Sequence, residues 1–291
     1  MVGGDEGRAV TGEQAPPEVA FVLGGGGVLG AHEVGMLQAL LAAGIFPDLV
    51  VGTSVGAING AVIATDPTPK AVAHLVDLWV GIGERDVFGG SLLTRIGTIA
   101  RTKTHLHSND SLRELLLRYL PVPRIEDLTV PFQCVAASVE RASAHWFTRG
   151  PLVEAVLASA AVPGLLPPVE IGGEHFLDGG LVNSIPVDRA VALGARTIYV
   201  LQVGRIEQPL EPPSRPWDVG LVAFEIARRH RFVEQMRALP DDVTVHVLPT
   251  GDPPRNDFSQ LRYRDFSRVA ERIAQAYEAS GAYLAELDQT G

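Results

Sequence analysis

Apolar positions along the chain arrive as short continuous runs and as helical stripes, with little strict alternation. "VAFVL" (Val19–Leu23) is an apolar run of strand length, and "AHEVGMLQALLAAG" then repeats apolar side chains at Val34, Leu37, Leu40 and Leu41 with helical spacing. Gly44 is placed to end that helix, since glycine takes a left-handed conformation without a side-chain clash. "PDLVVGTS" repeats the strand signature and "VGAINGAVIA" the helical one. Strand, glycine loop, helix, strand, sharp turn, helix is the rhythm of a mostly parallel sheet covered by helices.

Farther along, "KAVAHLVDLWVGI" and "SLRELLLRYLP" predict helices, the second capped by Ser108 or Asn109 and ended by Pro121. Between them, the less periodic "GERDVFGGSLLTRIG" reads as a surface connection or an access lid. "VPFQCVAASV" and "TIYVLQVG" read as core strands and "LVEAVLASAAVPG" as a helix; Pro163, Pro167 and Pro168 restrict the chain before a hairpin in "VEIGGEHFLDGG". The Pro-rich "QPLEPPSRP" marks a boundary or a long loop. A helix in "WDVGLVAFEIARRHRFVEQMRAL", a strand in "VTVHVLP" and a helix in "SRVAERIAQAYEASGAYLAEL" follow. With no internal repeat, one doubly covered sheet is more economical than two folds. Residues 1–17 read as a flexible lead-in rather than an export signal, and 18–291 as the folded domain. No early apolar segment reaches the roughly 18 residues of a membrane span.

Composition narrows the function classes. The 24 Lys plus Arg against 34 Asp plus Glu leave a formal charge of −10, which argues against a nonspecific nucleic-acid binder. Cys134 is the single cysteine, so no intrachain disulfide forms; among apolar and small neighbours it reads as a quiet core thiol. The cytoplasm is the default location, and peripheral contact with a membrane surface would need an exposed apolar rim that sequence does not locate.

"GTSVG" (Gly52 to Gly56) fits G-x-S-x-G between an apolar strand and a helix. In a strand-to-helix elbow Gly52 and Gly56 leave room for the turn and Ser54 stands above the sheet edge; the plain alternative is a serine that caps a helix. Gly60 reads as a packing position. A serine nucleophile needs a proton acceptor, and its attack on a carbonyl needs donors for the developing oxyanion. N–H groups around Gly25, Gly26 and Gly27 in "GGGGVLG" suit that second role, helped by the positive end of the helix that begins after Gly30. A phosphate cradle is the competing reading, but the loop lacks the glycine-lysine-serine/threonine ending. In "FLDGG", Asp178 is the candidate base, and Gly179 and Gly180 allow a tight departure; a simple hairpin turn is the alternative.

Taken in order, "GGGGVLG", "GTSVG", "ASAAVPGLLPP" and "FLDGG" resemble the patatin-like phospholipase family from about Val19 to Gly204. The resemblance implies a patatin-like three-layer α/β/α fold with a mostly parallel sheet, and hydrolysis of lipid acyl esters. It assigns a Ser54–Asp178 dyad and an oxyanion loop of Gly25, Gly26, Gly27, Val28, Leu29 and Gly30. The expected partner is a lipid acyl ester of phospholipid, lysophospholipid or related type, with transient membrane contact; the chemistry calls for no metal or organic cofactor. One position departs: the family loop carries a basic residue before its last glycine, where this chain has Leu29. The missing charge bears on phospholipid preference more than on ester hydrolysis.

Two rivals are a triad of Ser54 and Asp178 with His230 or His246, and a noncatalytic lipid-binding scaffold. His246 reads as solvent-facing on a strand, as does His175 near Asp178. Arg228, Arg229, His230 and Arg231, alongside Phe232, read as a solvated helix face. His105 and His107 in "HLH" lack a third metal ligand and read as a connector.

Overall fold

A computed structural model describes residues 16–84, 108–203, 209–210, 212–213, 216–251 and 268–290. The lead-in before residue 16, His105 and His107, nearly all of "GERDVFGGSLLTRIG" and parts of "QPLEPPSRP" lie outside these residues.

The first half of the domain follows the pattern read from the sequence. Strand β1 (Val19–Leu23) runs through a 3-10 turn, Gly27–Gly30, into helix α1 (Ala31–Ala42); β2 (Leu49–Thr53) feeds α2 (Val55–Thr65), and α3 (Pro69–Glu84) follows. Gly44, at φ +74°, turns the chain out of α1, its N–H bonding the Leu41 carbonyl. Next come α4 (Asp110–Tyr119), β3 (Phe132–Ser138), β4 (Ser143–Phe147), α5 (Leu152–Ser159) and the hairpin β5 (Val169–Ile171) and β6 (Glu174–Asp178). Ser108 serves the start of α4, its Oγ accepting the Asp110 N–H at 3.2 Å, while the Asn109 side chain makes no capping bond. The remainder is α6 (Val187–Ala192), β7 (Thr197–Leu201), α7 (Pro216–Arg237), β8 (Thr244–Val247) and α8 (Val269–Thr290).

The strands form one eight-stranded sheet in the order β5-β6-β3-β2-β1-β7-β8, with β4 beside β3. The central pairs β3–β2, β2–β1, β1–β7 and β7–β8 are parallel, whereas β4, β6 and β5 add antiparallel pairs at one end. Alternate residues of the central strands enter opposite layers. Phe21 and Leu23 join Leu37 and Leu40 of α1 and Ile63 of α2, while Ala20 and Val22 join Val187 and Ala190 of α6 and Phe232 of α7. Burial on both faces is why these strands read as continuous apolar runs rather than alternation. The result is a three-layer α/β/α architecture with a mostly parallel sheet.

Two elements are absent from the sequence reading. β4, "SAHWF", is an edge strand whose polar and aromatic residues carry neither an apolar run nor clean alternation. α6 has six residues, too few to show a helical period.

Candidate active site

The chain order changes direction at β1, with β2 and β3 laid to one side and β7 and β8 to the other, and the loops leaving β1 and β2 meet at this switch. Ser54 occupies the turn between β2 and α2 at φ 56°, ψ −122°, a left-handed backbone unusual for a side chain with a Cβ. The tight approach of α2 to the sheet explains the flanking glycine: a Cβ on Gly56 would stand 2.3 Å from the Leu23 carbonyl oxygen. Gly52 is likewise closed off by the α2 backbone, and Gly60 packs more loosely against Val50 and Phe132.

β3 acts as the ruler that brings the acid to the serine. Thr53, the last residue of β2, pairs with Val135, and Asp178, the last residue of β6, pairs with Ala136. Because β4 occupies the opposite edge of β3, β6 takes over the edge that β2 leaves. Ser54 and Asp178, 124 positions apart in sequence, therefore meet, and Ser54 Oγ donates to Asp178 Oδ2 at 2.6 Å. The other carboxylate oxygen accepts the Gly180 N–H at 2.7 Å, and the Asp178 N–H bonds the Ala161 carbonyl at 2.9 Å. Gly179 has no room for a side chain, since a Cβ there would lie 2.1 Å from the Val135 carbonyl oxygen.

Ser54 and Asp178 retain 8% and 6% exposure, so the pair is largely withdrawn from solvent. Burial raises the Asp178 pKa to about 6, against the smaller opposing pull of the Ser54 and Gly180 hydrogen bonds. An acid tuned into this range switches between proton acceptor and donor near neutral pH. Ser159 Oγ accepts the Ser54 N–H at 2.9 Å, and Thr53 Oγ1 donates to the Asn183 carbonyl at 2.8 Å. The elbow is thus braced on both sides.

The glycine loop divides its donors. Gly24 N–H bonds Leu201 and Gly25 N–H bonds the Ser184 carbonyl, each at 2.9 Å, so Gly25 is committed to the scaffold rather than to a ligand. Gly26 and Gly27 are partly exposed, and their N–H groups find no acceptor among the described residues. Leu29 N–H closes the turn on the Gly26 carbonyl at 3.2 Å; Leu29 is half-buried, whereas Val28 and Gly30 are buried.

Neither histidine of the rival triad reaches this pair. His246 is stacked on Tyr199 at 5.1 Å between centroids and bonds the Tyr283 hydroxyl at 3.2 Å, so it is half-buried rather than solvent-facing. His230 is exposed on α7. His175 is exposed and paired with Glu140, whose hydrogen bond raises the imidazole pKa. The reading of α7 as a solvated basic face needs correcting at two positions: Arg228 is buried in an ion pair with Glu225 at 2.9 Å, and Phe232 enters the apolar layer with Val22. Cys134 is wholly buried, and burial pushes its thiol pKa up. Among the described residues no His, Cys, Asp and Glu side chains gather in threes to hold a metal, and no helix is long and apolar enough to cross a membrane.

Sequence reasoning passed over Ser159, Glu33, Asn59 and Trp79, which lie behind the elbow and the loop. The available signal was polarity out of place: Asn59 interrupts an otherwise apolar stretch of α2, and Glu33 sits in a helix buried nearly all round.

Comparison with known proteins gives a family match, "Patatin-like phospholipase", over residues 21–191. The chain is similar to the lysophospholipase NTE1 of Eremothecium gossypii, 28% identical over 94% of this chain and 18% of that protein. It is also similar to a patatin-like phospholipase domain-containing protein of Caenorhabditis elegans, 34% identical over 65% of this chain and 14% of the relative. The chain therefore spans less than a fifth of the length of these relatives. Among solved structures, VipD from Legionella pneumophila aligns over 93% of this chain and 67% of its own, at 14% identity and a TM-score of 0.44.

Proposed function

The chain belongs to the patatin-like phospholipase family, and from that premise we propose that it is a serine-dependent lipid acyl hydrolase working through a Ser54–Asp178 dyad. The observation that carries this reading is the 2.6 Å hydrogen bond from Ser54 Oγ to a buried carboxylate with no histidine between them. Ser54 Oγ attacks the ester carbonyl carbon as its proton passes to Asp178, and the Gly26 and Gly27 N–H groups receive the negative charge that gathers on the carbonyl oxygen. Collapse expels the alcohol, which takes the proton from Asp178, and leaves an acyl group on Ser54. Water then gives a proton to Asp178 and its hydroxyl to the acyl carbon; as the bond from that carbon to Ser54 Oγ breaks, Asp178 returns the proton to Oγ, releasing the fatty acid and restoring both the serine and the carboxylate. The Ser54 elbow holds the hydroxyl above the sheet before substrate arrives, so little reorganisation is needed at the reaction step.

Esters of lysophospholipids, phospholipids or related lipids are the substrate class, in keeping with the names of the relatives. Leu29 places an apolar side chain at the loop where the family pattern has a charge, which favours acyl-chain contact over a bound anionic headgroup. The test is a panel of lipid and neutral acyl esters combined with labelling by a serine-directed phosphonate. One-to-one labelling at Ser54 together with ester turnover supports the reading, and failure of the intact folded protein to do either refutes it. Hydrolysis of neutral esters with none of phospholipids would narrow the substrate to the former.

A further inference from the structure

A buried hydrogen-bond group stands directly behind the glycine loop, and the catalytic steps above do not use it. Asn59, in the middle of α2, donates through Nδ2 to the Gly30 carbonyl at 3.0 Å and to Glu33 Oε2 at 2.7 Å, and its Oδ1 accepts from Trp79 Nε1 at 3.0 Å. An indole N–H only donates, so the amide oxygen must face Trp79 and the amide N–H groups must face Gly30 and Glu33. The arrangement has one workable orientation. It also joins four elements: α2, which begins just after the candidate nucleophile; α3, which carries Trp79; α1, which carries Glu33; and the turn that ends at Gly30.

Packing reinforces the same point. A Cβ on Gly30 would come within 2.4 Å of Val55 Cγ2 and 2.8 Å of the Trp79 ring, so the chain at Gly30 is gripped between the residue after Ser54 and the indole. Asn59 and Glu33 are wholly buried, and Trp79 is 2% exposed. Burial raises the Glu33 pKa well above the ordinary carboxylate range, outweighing the opposing pull of Asn59 and the Gly24 backbone. Burial thus disfavours a charge at Glu33, whose Oε2 accepts from Asn59 Nδ2 within the core.

We propose that Asn59, oriented by Trp79 and Glu33, is a positioning residue that ties the Gly30 end of the loop to the nucleophile helix and so keeps the Gly26 and Gly27 N–H groups aimed at the oxyanion. Its kinetic consequence rests on the acyl-hydrolase reading; its structural consequence does not. Loss of the tie lets the loop donors drift, and a misplacement on the order of 1 Å costs about 100-fold in rate.

The experiment compares Asn59→Leu, Trp79→Phe, Glu33→Leu and Glu33→Gln, each checked for folding by circular dichroism and thermal melting. For a soluble acyl ester, Asn59→Leu and Glu33→Leu lower kcat about 10- to 100-fold with KM changed less than about threefold, because the loop acts on the transition state. Trp79→Phe keeps most of the packing but frees the amide to turn, and costs kcat about 3- to 10-fold. Glu33→Gln, which still offers a neutral acceptor, rescues kcat to within about threefold of the parent. Amide hydrogen exchange over residues 24–34 rises in the three damaging variants and stays at the parent level in Glu33→Gln. If Asn59→Leu does not fold, Trp79→Phe decides. Folded variants with parental kcat and exchange overturn the proposal. If the parent turns over no ester, the acyl-hydrolase reading falls while the exchange pattern still decides the tie.

Discussion

Replacing Asp178 by Asn separates the energetic burden of the acid from its chemistry. The carboxyl is buried, and its pKa rises from an ordinary 3.8 to about 6. A shift of roughly two units at about 1.4 kcal/mol each means that ionising Asp178 in the folded protein costs about 3 kcal/mol relative to the unfolded chain. The sign follows from proton affinity. The folded state holds the proton more tightly, so this contribution to stability is complete below about pH 4 and is lost as pH rises through about 6. Asn does not ionise. Its amide oxygen can accept the Gly180 N–H while its N–H donates to Ser54 Oγ, which preserves both contacts of the parent side chain. Asp178→Asn is therefore expected to be more stable than the parent by about 1–3 kcal/mol at pH 8, with no gain at pH 4. It also loses phosphonate labelling and ester turnover by about 100- to 10,000-fold, as removal of a general base requires. Parental turnover in turn rises with pH about a midpoint near 6, as the base becomes ionised. Denaturant unfolding at the two pH values and a labelling time course check these statements. A variant less stable than the parent at pH 8, or one labelled at the parental rate, would refute the reasoning.

Other substitutions probe the remaining supports. Ser54→Gly should exceed Ser54→Ala in stability by about 1–2 kcal/mol by denaturant unfolding, reversing the usual order, because the residue sits at φ 56°. Neither variant labels. Gly56→Ala should destabilise by about 1–3 kcal/mol or more and slow labelling, since its methyl meets the Leu23 carbonyl at 2.3 Å and pushes α2 off the sheet. His230→Ala and His246→Ala should each keep ester turnover within about twofold of the parent, since neither ring reaches Ser54 or Asp178. Loss of turnover in one folded variant alone would restore the triad.

What was legible in the sequence was local, and what was not depended on partners far along the chain. A strand that runs into glycine-threonine-serine-valine-glycine announces its own turn, so the Ser54 elbow, the loop after β1 and the hairpin before Asp178 could all be read from neighbours. The meeting of Ser54 with Asp178, which the family resemblance implies, could not be derived from neighbours, because it depends on β6 continuing the β3 edge where β2 stops. The same rule explains the errors. Arg228 looks like surface charge until Glu225, one turn earlier, supplies a buried partner, and His246 looks exposed until Tyr199 and Tyr283 close over it. Gly25 reads as an oxyanion donor until the Ser184 carbonyl claims its N–H. That last case carries a physical lesson about the loop: successive glycines are not equivalent donors. The Leu201 and Ser184 carbonyls hold the N–H groups of Gly24 and Gly25, whereas those of Gly26 and Gly27, partly exposed at the start of the 3-10 turn, find no acceptor among the described residues. On the acyl-hydrolase reading proposed above, the aim of these donors depends on how firmly both ends of the loop are fixed, by the Ser184 carbonyl at Gly25 and by Asn59 at Gly30.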